Sequence, residues 1–282
     1  MIFYTVRKLM FGSWIGAAAA LALLCSVPAV AQEKVSLRLD WVNSGYHAIW
    51  YYGIDRGIFK SEGIDLEVLE GRGSASTAQT VANGSVMFGT SDGGAVMGLI
   101  AQGLPLKIVA GYLRQSPLAI IFPKKNNWKG FADMTNARIG FSPGGTAPMF
   151  HAMLKATGLE GKIQVVNVEG NAKPAALLEG KLDGIESFDF LQVPLFEANG
   201  LPVSTLTYAQ AGINVPGLSL VTANEMIQKN PALDPDWAKG RPFGWMSPAV
   251  MERSQDLLMQ YGGLKVKRPI EDYFTNEFIP AS

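Results

Sequence analysis

The stretch IDLEVLEGRGSASTAQTVANGSVMFGTSD, residues 64–92, decides the fold. Ile64 to Leu69 alternates apolar and polar residues, the period of a half-buried strand. The glycines and serines of residues 71–76 break that period, and Ser74 or Ser76 suits the cap of a helix running to Asn83-Gly84. Val86 to Gly89 then reads as a short apolar strand, followed by a Thr90-Ser91-Asp92 loop. A strand, a glycine-rich loop, a helix and a second strand make a βαβ unit. The pattern extends both ways from it. Upstream, Val35 to Leu39 alternates and Ser44 to Gly57 is helical in spacing; downstream, Asp92 to Gln102 predicts a helix and Leu106 to Ala110 a strand. This rhythm predicts a parallel sheet with helices on both faces.

The rhythm restarts after the polar stretch PKKNNWKG, residues 123–130. Strands are expected at 139–142, 163–168, 184–188 and 203–206, with helices at 147–157, 173–179 and 191–198. Two apolar segments, Leu118 to Phe122 and Gly217 to Val221, read as crossings between the units. An amphipathic helix from Pro248 to Tyr261 is expected to pack on the first unit. The expectation is therefore an α/β protein of two lobes joined by two crossing strands, with a ligand cleft between them. One lobe comprises 32–118 and 217–282, the other 119–216 with the hinge crossings.

Residues 1–31 stand apart. Arg7 and Lys8 precede an apolar run from Leu9 to Leu24, and Ala29-Val30-Ala31 supplies a small-x-small site, the pattern of a secretory signal peptide. The run is shorter than the roughly 20 residues of a spanning helix. The single cysteine, Cys25, lies inside this segment, so a chain cut after Ala31 has no thiol for a disulfide, a metal or nucleophilic catalysis. The 24 basic residues match the 24 acidic ones, and cleavage removes only Arg7 and Lys8. This near-neutral balance excludes a basic nucleic-acid surface. An exported, soluble, nearly neutral protein is expected.

In open α/β sheets, ligands bind beyond the carboxyl ends of strands, where helix N-termini face the crevice. In the first lobe the loops there are residues 40–44, 71–76 and 90–92; in the second, Ser142 to Thr146, the strand end at Asn167 and Glu169, and Glu186 to Phe190. Gly71 and Gly73 allow a backbone to approach a ligand closely. The serines serve equally as helix caps. Phe188, Asp189 and Phe190 either put a carboxylate between two rings or are two core rings and a cap. LDWVNSGYHAIWYYG, residues 39–53, carries six rings. On a helix, His47, Trp50, Tyr51, Ile54 and Ile58 share one face, so Trp50, Tyr51 and Ile54 are expected in the core. Trp41 and His47 are placed at the cleft, where rings can stack on a flat ligand. The only histidines are His47 and His151, no GxSxG or HExxH occurs, and no phosphate-loop fingerprint is present. No catalytic group, metal or cofactor is expected.

Several motifs together resemble a known family. These are Trp41-x(5)-His47-Ala48, Gly57-x-Phe59-x-x-Glu62-Gly63-Ile64-Asp65, the Gly-x-Gly-Ser loop, and Val81-Ala82-Asn83-Gly84 before Phe88-Gly89. Glu179 to Gly184, Gly244 to Pro248 and Tyr261 to Leu264 complete the set. The chain resembles periplasmic binding proteins of the nitrate/sulfonate/taurine class, in the branch related to thiamine-pyrimidine synthases and pyrimidine-precursor binding proteins. The resemblance implies a type II periplasmic binding fold and a monomer that closes on a small molecule and hands it to an ABC transporter permease. It implies ligand contacts from Trp41, His47, Gly73, Ser74, Ala75, Ser91 and Asp92 in the first lobe. In the second it implies Gly144, Gly145 and Thr146, with Glu186 and Asp189. A pyrimidine ligand would lean on Trp41, Tyr112, Phe188 and Asp189; a sulfonate or other organic anion would lean on helix N-termini and Arg72 or Arg114. The synthases of the superfamily carry a cysteine-rich iron motif, which a chain without cysteine lacks, so binding without turnover is expected. Related chains also have a longer section where only residues 234–243 stand here.

Overall fold

The computed structural model describes residues 32–228, 246, 248–260 and 264–277. The expected leader, Cys25 and the short section 234–243 lie outside the described residues, as does most of the Gly244 to Pro248 motif. Ten strands form two five-stranded sheets among them. The first has the order β2-β1-β3-β10-β4, from β1 (Glu33–Arg38), β2 (Ile64–Leu69), β3 (Phe88–Asp92), β4 (Leu106–Gly111) and β10 (Leu218–Ala223). The second has the order β7-β6-β8-β5-β9, from β5 (Leu118–Pro123), β6 (Arg138–Phe141), β7 (Gln164–Asn167), β8 (Gly184–Phe188) and β9 (Val203–Thr207).

The sheets are mixed, not wholly parallel. β1 pairs in parallel with β2 and β3, and β6 with β7 and β8, but β10 and β5 run antiparallel to both their neighbours. The two segments expected as crossings are these two strands. Each enters its sheet from the other unit, hence from the carboxyl edge, and so must run against the strands already there. β10 also lengthens β3. Asp92 pairs with Leu218 and Ser91 with Ser219, so Thr90, Ser91 and Asp92 are strand residues rather than a loop.

Helices α1 (Ala48–Asp55) and α2 (Ile58–Ser61) follow β1, and α3 (Ser74–Ala82) follows β2. The expected single helix from Ser44 to Gly57 is divided: a 3-10 turn spans Gly45–His47, and Gly57 takes a φ of 67° between α1 and α2. Its inward face also differs from the expectation. His47 is buried, Trp50 is half-buried and Gly53 packs on the Phe59 ring, whereas Tyr51 is 39% and Ile54 41% exposed. The bonds that fix His47 against Asp40 set the rotation of this segment and turn Tyr51 and Ile54 outward.

α4 (Gly93–Ala101) is buried from Gly93 through Ile100 and packs on α3 and on α5 (Ala147–Ala156). α6 (Lys173–Leu178) and α7 (Asp189–Ala198) complete the second unit, α8 (Asn224–Gln228) follows β10, and α9 (Pro248–Gln260) packs on α4 and buries Met251 and Leu258. One apolar core runs from Ala78, Val81 and Ile108 through Ile120 and Phe122 to Ile139 and Phe150, so it joins both sheets. Burying each such side chain stabilises by about 1.5–3 kcal/mol, and this continuity holds the strand ends of the two sheets face to face.

Candidate functional site

Between those strand ends lies a cavity of about 40 Å³, or about 400 Å³ when all empty space out into open solvent is counted. Asp40 and Trp41 follow β1, Tyr46 sits in the 3-10 turn, and Gly73 and Ser74 open α3. From the other side come Ser142 after β6, Gly145 and Thr146 before α5, Lys173 at the start of α6, Glu186 and Phe188 on β8, and Leu191. The cavity sits at the carboxyl ends of parallel strands, the position that open α/β sheets give their ligands.

The units touch directly at its rim. Ala75 N donates to Gly145 O at 2.9 Å and Ser76 N to Gly144 O at 3.2 Å. Gly73 holds a φ of 132°, and a Cβ there would stand 2.1 Å from Gly144 O. On the opposite side the Trp41 ring lies so close to Gly170 that a Cβ there would meet its Cη2 at 1.7 Å. Backbone contact of this kind requires glycine.

Two carboxylates face the cavity in different surroundings. Asp40, 2% exposed, accepts three hydrogen bonds. His47 Nε2 at 3.1 Å and the Thr90 hydroxyl at 2.8 Å reach Oδ1, and the Tyr46 hydroxyl at 2.8 Å reaches Oδ2. Because Ser44 N donates to His47 Nδ1 at 3.2 Å, the ring proton sits on Nε2 and points at Asp40. Burial first, and then the Asp40 charge and hydrogen bond, push the Tyr46 phenol far above its usual range, so it stays a donor. Glu186, 3% exposed, is instead paired with a cation. Lys173 Nζ donates to Glu186 Oε2 at 3.0 Å and to its carbonyl oxygen at 2.5 Å, and the Thr146 hydroxyl donates to Oε1. The same ammonium lies 6.0 Å from the Trp41 ring centroid.

A third carboxylate lies behind them. Asp92 caps α4 by accepting from Ala95 N at 3.0 Å and accepts from the Ser116 hydroxyl at 2.7 Å. Burial pushes its carboxyl up to about 6 against those two bonds, with smaller contributions from the charges of Glu186 and Asp40. The buried Tyr208 hydroxyl, without a partner among the described residues, is also pushed up, first by burial and then by Glu186 and Asp92.

A model of the family described as NMT1/THI5 like matches residues 44–234. The chain belongs to the NMT1/THI5-like family. Among curated relatives, it is 29% identical over 188 residues to a putative thiamine biosynthesis protein of Haemophilus influenzae, covering 64% of this chain and 59% of that protein. It is 25% identical over 158 residues to the formylaminopyrimidine-binding protein of Halalkalibacterium halodurans, covering 55% of this chain and 47% of that one. The chain thus spans about half to three fifths of the length of these relatives. A periplasmic sulfonate-binding protein of Methylobacillus flagellatus superposes with a TM-score of 0.56 at 15% identity, covering 88% of this chain and 93% of that chain. The fold is the type II periplasmic binding fold.

Within this family member the expected site residues separate into two layers. Trp41, Gly73, Ser74, Gly145, Thr146, Glu186 and Phe188 line the cavity. His47, Ser91 and Asp92 stand behind it: His47 holds Asp40, the Ser91 hydroxyl donates to Ser74 O at 3.1 Å, and Asp92 N donates to the Ser74 hydroxyl at 3.0 Å. Ala75 and Gly144 contribute backbone to the rim, and Tyr112 packs edge-on against Trp50 at 6.1 Å. Asp189 lies off the cavity wall as the first residue of α7 and accepts from the adjacent Phe190 N at 2.6 Å; Phe188, not Asp189, stands at the cap position, and no side chain caps the helix. Phe190 is 39% exposed and meets Tyr46 edge-on at 5.3 Å.

Asp40, Tyr46, Ser142, Lys173 and Leu191 line the cavity without having been singled out from the sequence. Asp40 and Ser142 lie in the loops, residues 40–44 and Ser142 to Thr146, that the sequence places at the cleft, though neither is among the contacts expected there. Nothing in GNAKPAALL, residues 170–178, distinguishes Lys173 from a solvated helix lysine.

Proposed function

We propose that this chain is the periplasmic solute-binding component of an ABC importer, capturing a small nitrogen-containing heteroaromatic of the pyrimidine type. Residues 32–118 with 217–282 form one lobe and 119–216 the other. They close on the ligand, and the closed monomer delivers it to a membrane permease. The leader 1–31 directs export. The protein binds without turnover and needs no cofactor.

The observation that carries this reading is the cavity wall itself, where the Trp41 ring stands with two buried carboxylates, Asp40 and Glu186. A ring can stack on the indole while amino groups donate to the acids. Asp40 Oδ2 accepts one hydrogen bond and keeps a second acceptor position; its Oδ1 is filled by two. The formylaminopyrimidine-binding relative supports the same ligand class. An anion such as a sulfonate is disfavoured, because Arg72 and Arg114 are exposed away from the cavity and its one lysine is committed to Glu186.

A thermal-unfolding screen over aminopyrimidines, sulfonates and amino acids tests the proposal. An aminopyrimidine at a hundredfold excess over its Kd should stabilise by about 2.7 kcal/mol, and Trp41→Ala should erase that shift. A midpoint moved only by sulfonates, or a shift that survives Trp41→Ala, overturns the reading. Mass spectrometry after incubation should return the pyrimidine unchanged.

A further inference from the structure

The rings of Tyr46, Phe188 and Phe190 form a cluster that crosses the cleft. Tyr46 belongs to the first unit, Phe188 and Phe190 to the second. Tyr46 meets Phe190 edge-on at 5.3 Å with the planes at 80°, and Phe188 at 6.4 Å with the planes at 70°. Tyr46 is held by its own unit on two sides. Its hydroxyl donates to Asp40 Oδ2 at 2.8 Å, and its ring lies 3.8 Å from that of His47, which also bonds Asp40. Tyr46 therefore cannot follow the second unit, and any separation of the units breaks the edge-on pairs.

The three rings differ in what else they do. Phe188 is buried and lines the cavity, and Tyr46 lines it too. Phe190 lies outside the cavity wall and is exposed in the first turn of α7, where core packing does not account for a large apolar side chain. Among the described residues its ring contacts are with Phe188, at 5.8 Å, and with Tyr46. What distinguishes this ring is the contact across the cleft.

We propose that Phe190 is a latch residue: its ring clasps Tyr46 across the cleft and sets how often the two units part, without touching the ligand. The contact joins closure to the site, since the ring that Phe190 clasps is the one whose hydroxyl fixes Asp40. The latch rests on the reading of two closing lobes and is independent of the ligand's identity.

Native-state hydrogen exchange of the full chain, followed residue by residue by NMR without added ligand, tests this. The amides of Ala75 and Ser76 are the sensors, because their acceptors, Gly145 O and Gly144 O, belong to the other unit. They exchange when the cleft opens. Thr77 N donates to Gly73 O inside the first unit and reports fraying of α3 instead. Phe190→Leu keeps an apolar side chain and removes the ring. It should speed exchange at Ala75 and Ser76 about threefold to tenfold, the loss of an edge-to-face aromatic pair, with Thr77 unchanged. Phe190→Tyr should keep the wild-type rates. Tyr46→Leu should speed the same two amides, and adding Phe190→Leu to it should speed them no further. Sensor amides that exchange faster than global unfolding, but equally in wild type and Phe190→Leu, overturn the latch and leave the closing lobes standing. Acceleration that extends to Thr77 places the effect in α3 and overturns the latch as well. Exchange of the sensors only through global unfolding, in wild type and variants alike, overturns the closing-lobe reading and the latch with it.

Discussion

The two sheets share one strand order, with the antiparallel strand in the same place, yet the acids at their carboxyl edges are held by different means. In the first unit Asp40 is surrounded by donors that carry the bond without matching the charge: a tyrosine, a threonine and the Nε2 proton of His47. In the second, Glu186 is held by a buried ammonium and a threonine. The same backbone frame therefore presents one acid ringed by hydroxyl and imidazole donors and the other as half of an ion pair. Asymmetry of this kind lets a cleft distinguish the two ends of a ligand. It also assigns unequal costs to breaking each half.

The largest cost falls on the second unit. Lys173→Met alone leaves the buried Glu186 carboxylate without its cation, and removing one partner of a buried pair costs about 3–5 kcal/mol. His47→Leu, in the first unit, removes one of three donors to Asp40 and should cost about 1–3 kcal/mol. Urea unfolding of the two variants checks the order. Equal losses would show that charge matching at Glu186 adds nothing beyond an ordinary hydrogen bond.

Asp92 sharpens the comparison, because it is a third buried acid with only neutral donors. Its folded-state carboxyl lies at about 6 against an ordinary 3.8, raised chiefly by burial. Between those values the folded protein holds the proton more firmly than the unfolded chain. Stability from this group is thus full below about pH 4 and is lost as pH rises through 6. Asp92→Asn keeps an oxygen for Ala95 N and should stabilise the protein at pH 8 by up to about 3 kcal/mol, an upper bound from two pKa units. The gain should vanish near pH 4. A gain independent of pH would mean that the asparagine acts through packing.

The rim where the units meet breaks the symmetry again. Gly73 combines a φ of 132° with a Cβ position 2.1 Å from Gly144 O, whereas a Cβ on Gly144 would have no neighbour nearer than 3.8 Å. Gly73→Ala should weaken ligand binding by roughly tenfold or more, about 1.4 kcal/mol or more, and Gly144→Ala should leave it nearly unchanged. Binding titrations of both, alongside urea unfolding, separate closure from folding. Equal effects would mean that the bonds from Ala75 and Ser76, rather than the glycine, set the approach.

Most of the frame was legible in the sequence, because hydrophobic period and glycine punctuation report strands and helices directly. Gly184 to Phe188 and Leu106 to Gly111 fall within one residue of expectation. The direction of β5 and β10 was not, since an apolar run carries no sign of which end enters the sheet. The site divides along a similar line. Glycine loops and strand ends, such as Gly73, Thr146 and Glu186, are marked by local spacing. The Asp40 network and the Lys173–Glu186 pair are long-range events, joining Asp40 to Thr90 and residue 173 to residue 186 across separate elements. Gly180, Asp183 and Gly184 form a motif whose physical reason appears only in three dimensions. Asp183 accepts from Arg138 N at 2.8 Å and grips its guanidinium with both oxygens, locking β6 beside β8, while Arg138 also donates to Gly180 O.

The helix after β1 gives the smallest effect and the most direct check on how local pattern is overruled. By spacing alone, Ile54 shares a face with His47 and Trp50. That segment is rotated by the bonds that hold His47 to Asp40 and to Ser44, and the break at Gly57 separates it from α2. Ile54 then faces outward at 41% exposure, beside Ile58 at 50%. Ile54→Ser should therefore change stability by no more than about 0.5 kcal/mol, as for an ordinary surface position. Burial of Ile54 in a core would instead make the loss several-fold larger, through lost transfer energy and a cavity. The test reaches the site because the outward turn of Ile54 and the aim of the His47 proton have one cause. If Ile54→Ser costs several kcal/mol, the rotation is wrong and the Asp40 network goes with it. If the cost is small, His47→Leu should still be destabilising, which places the weight of this segment at its cleft end.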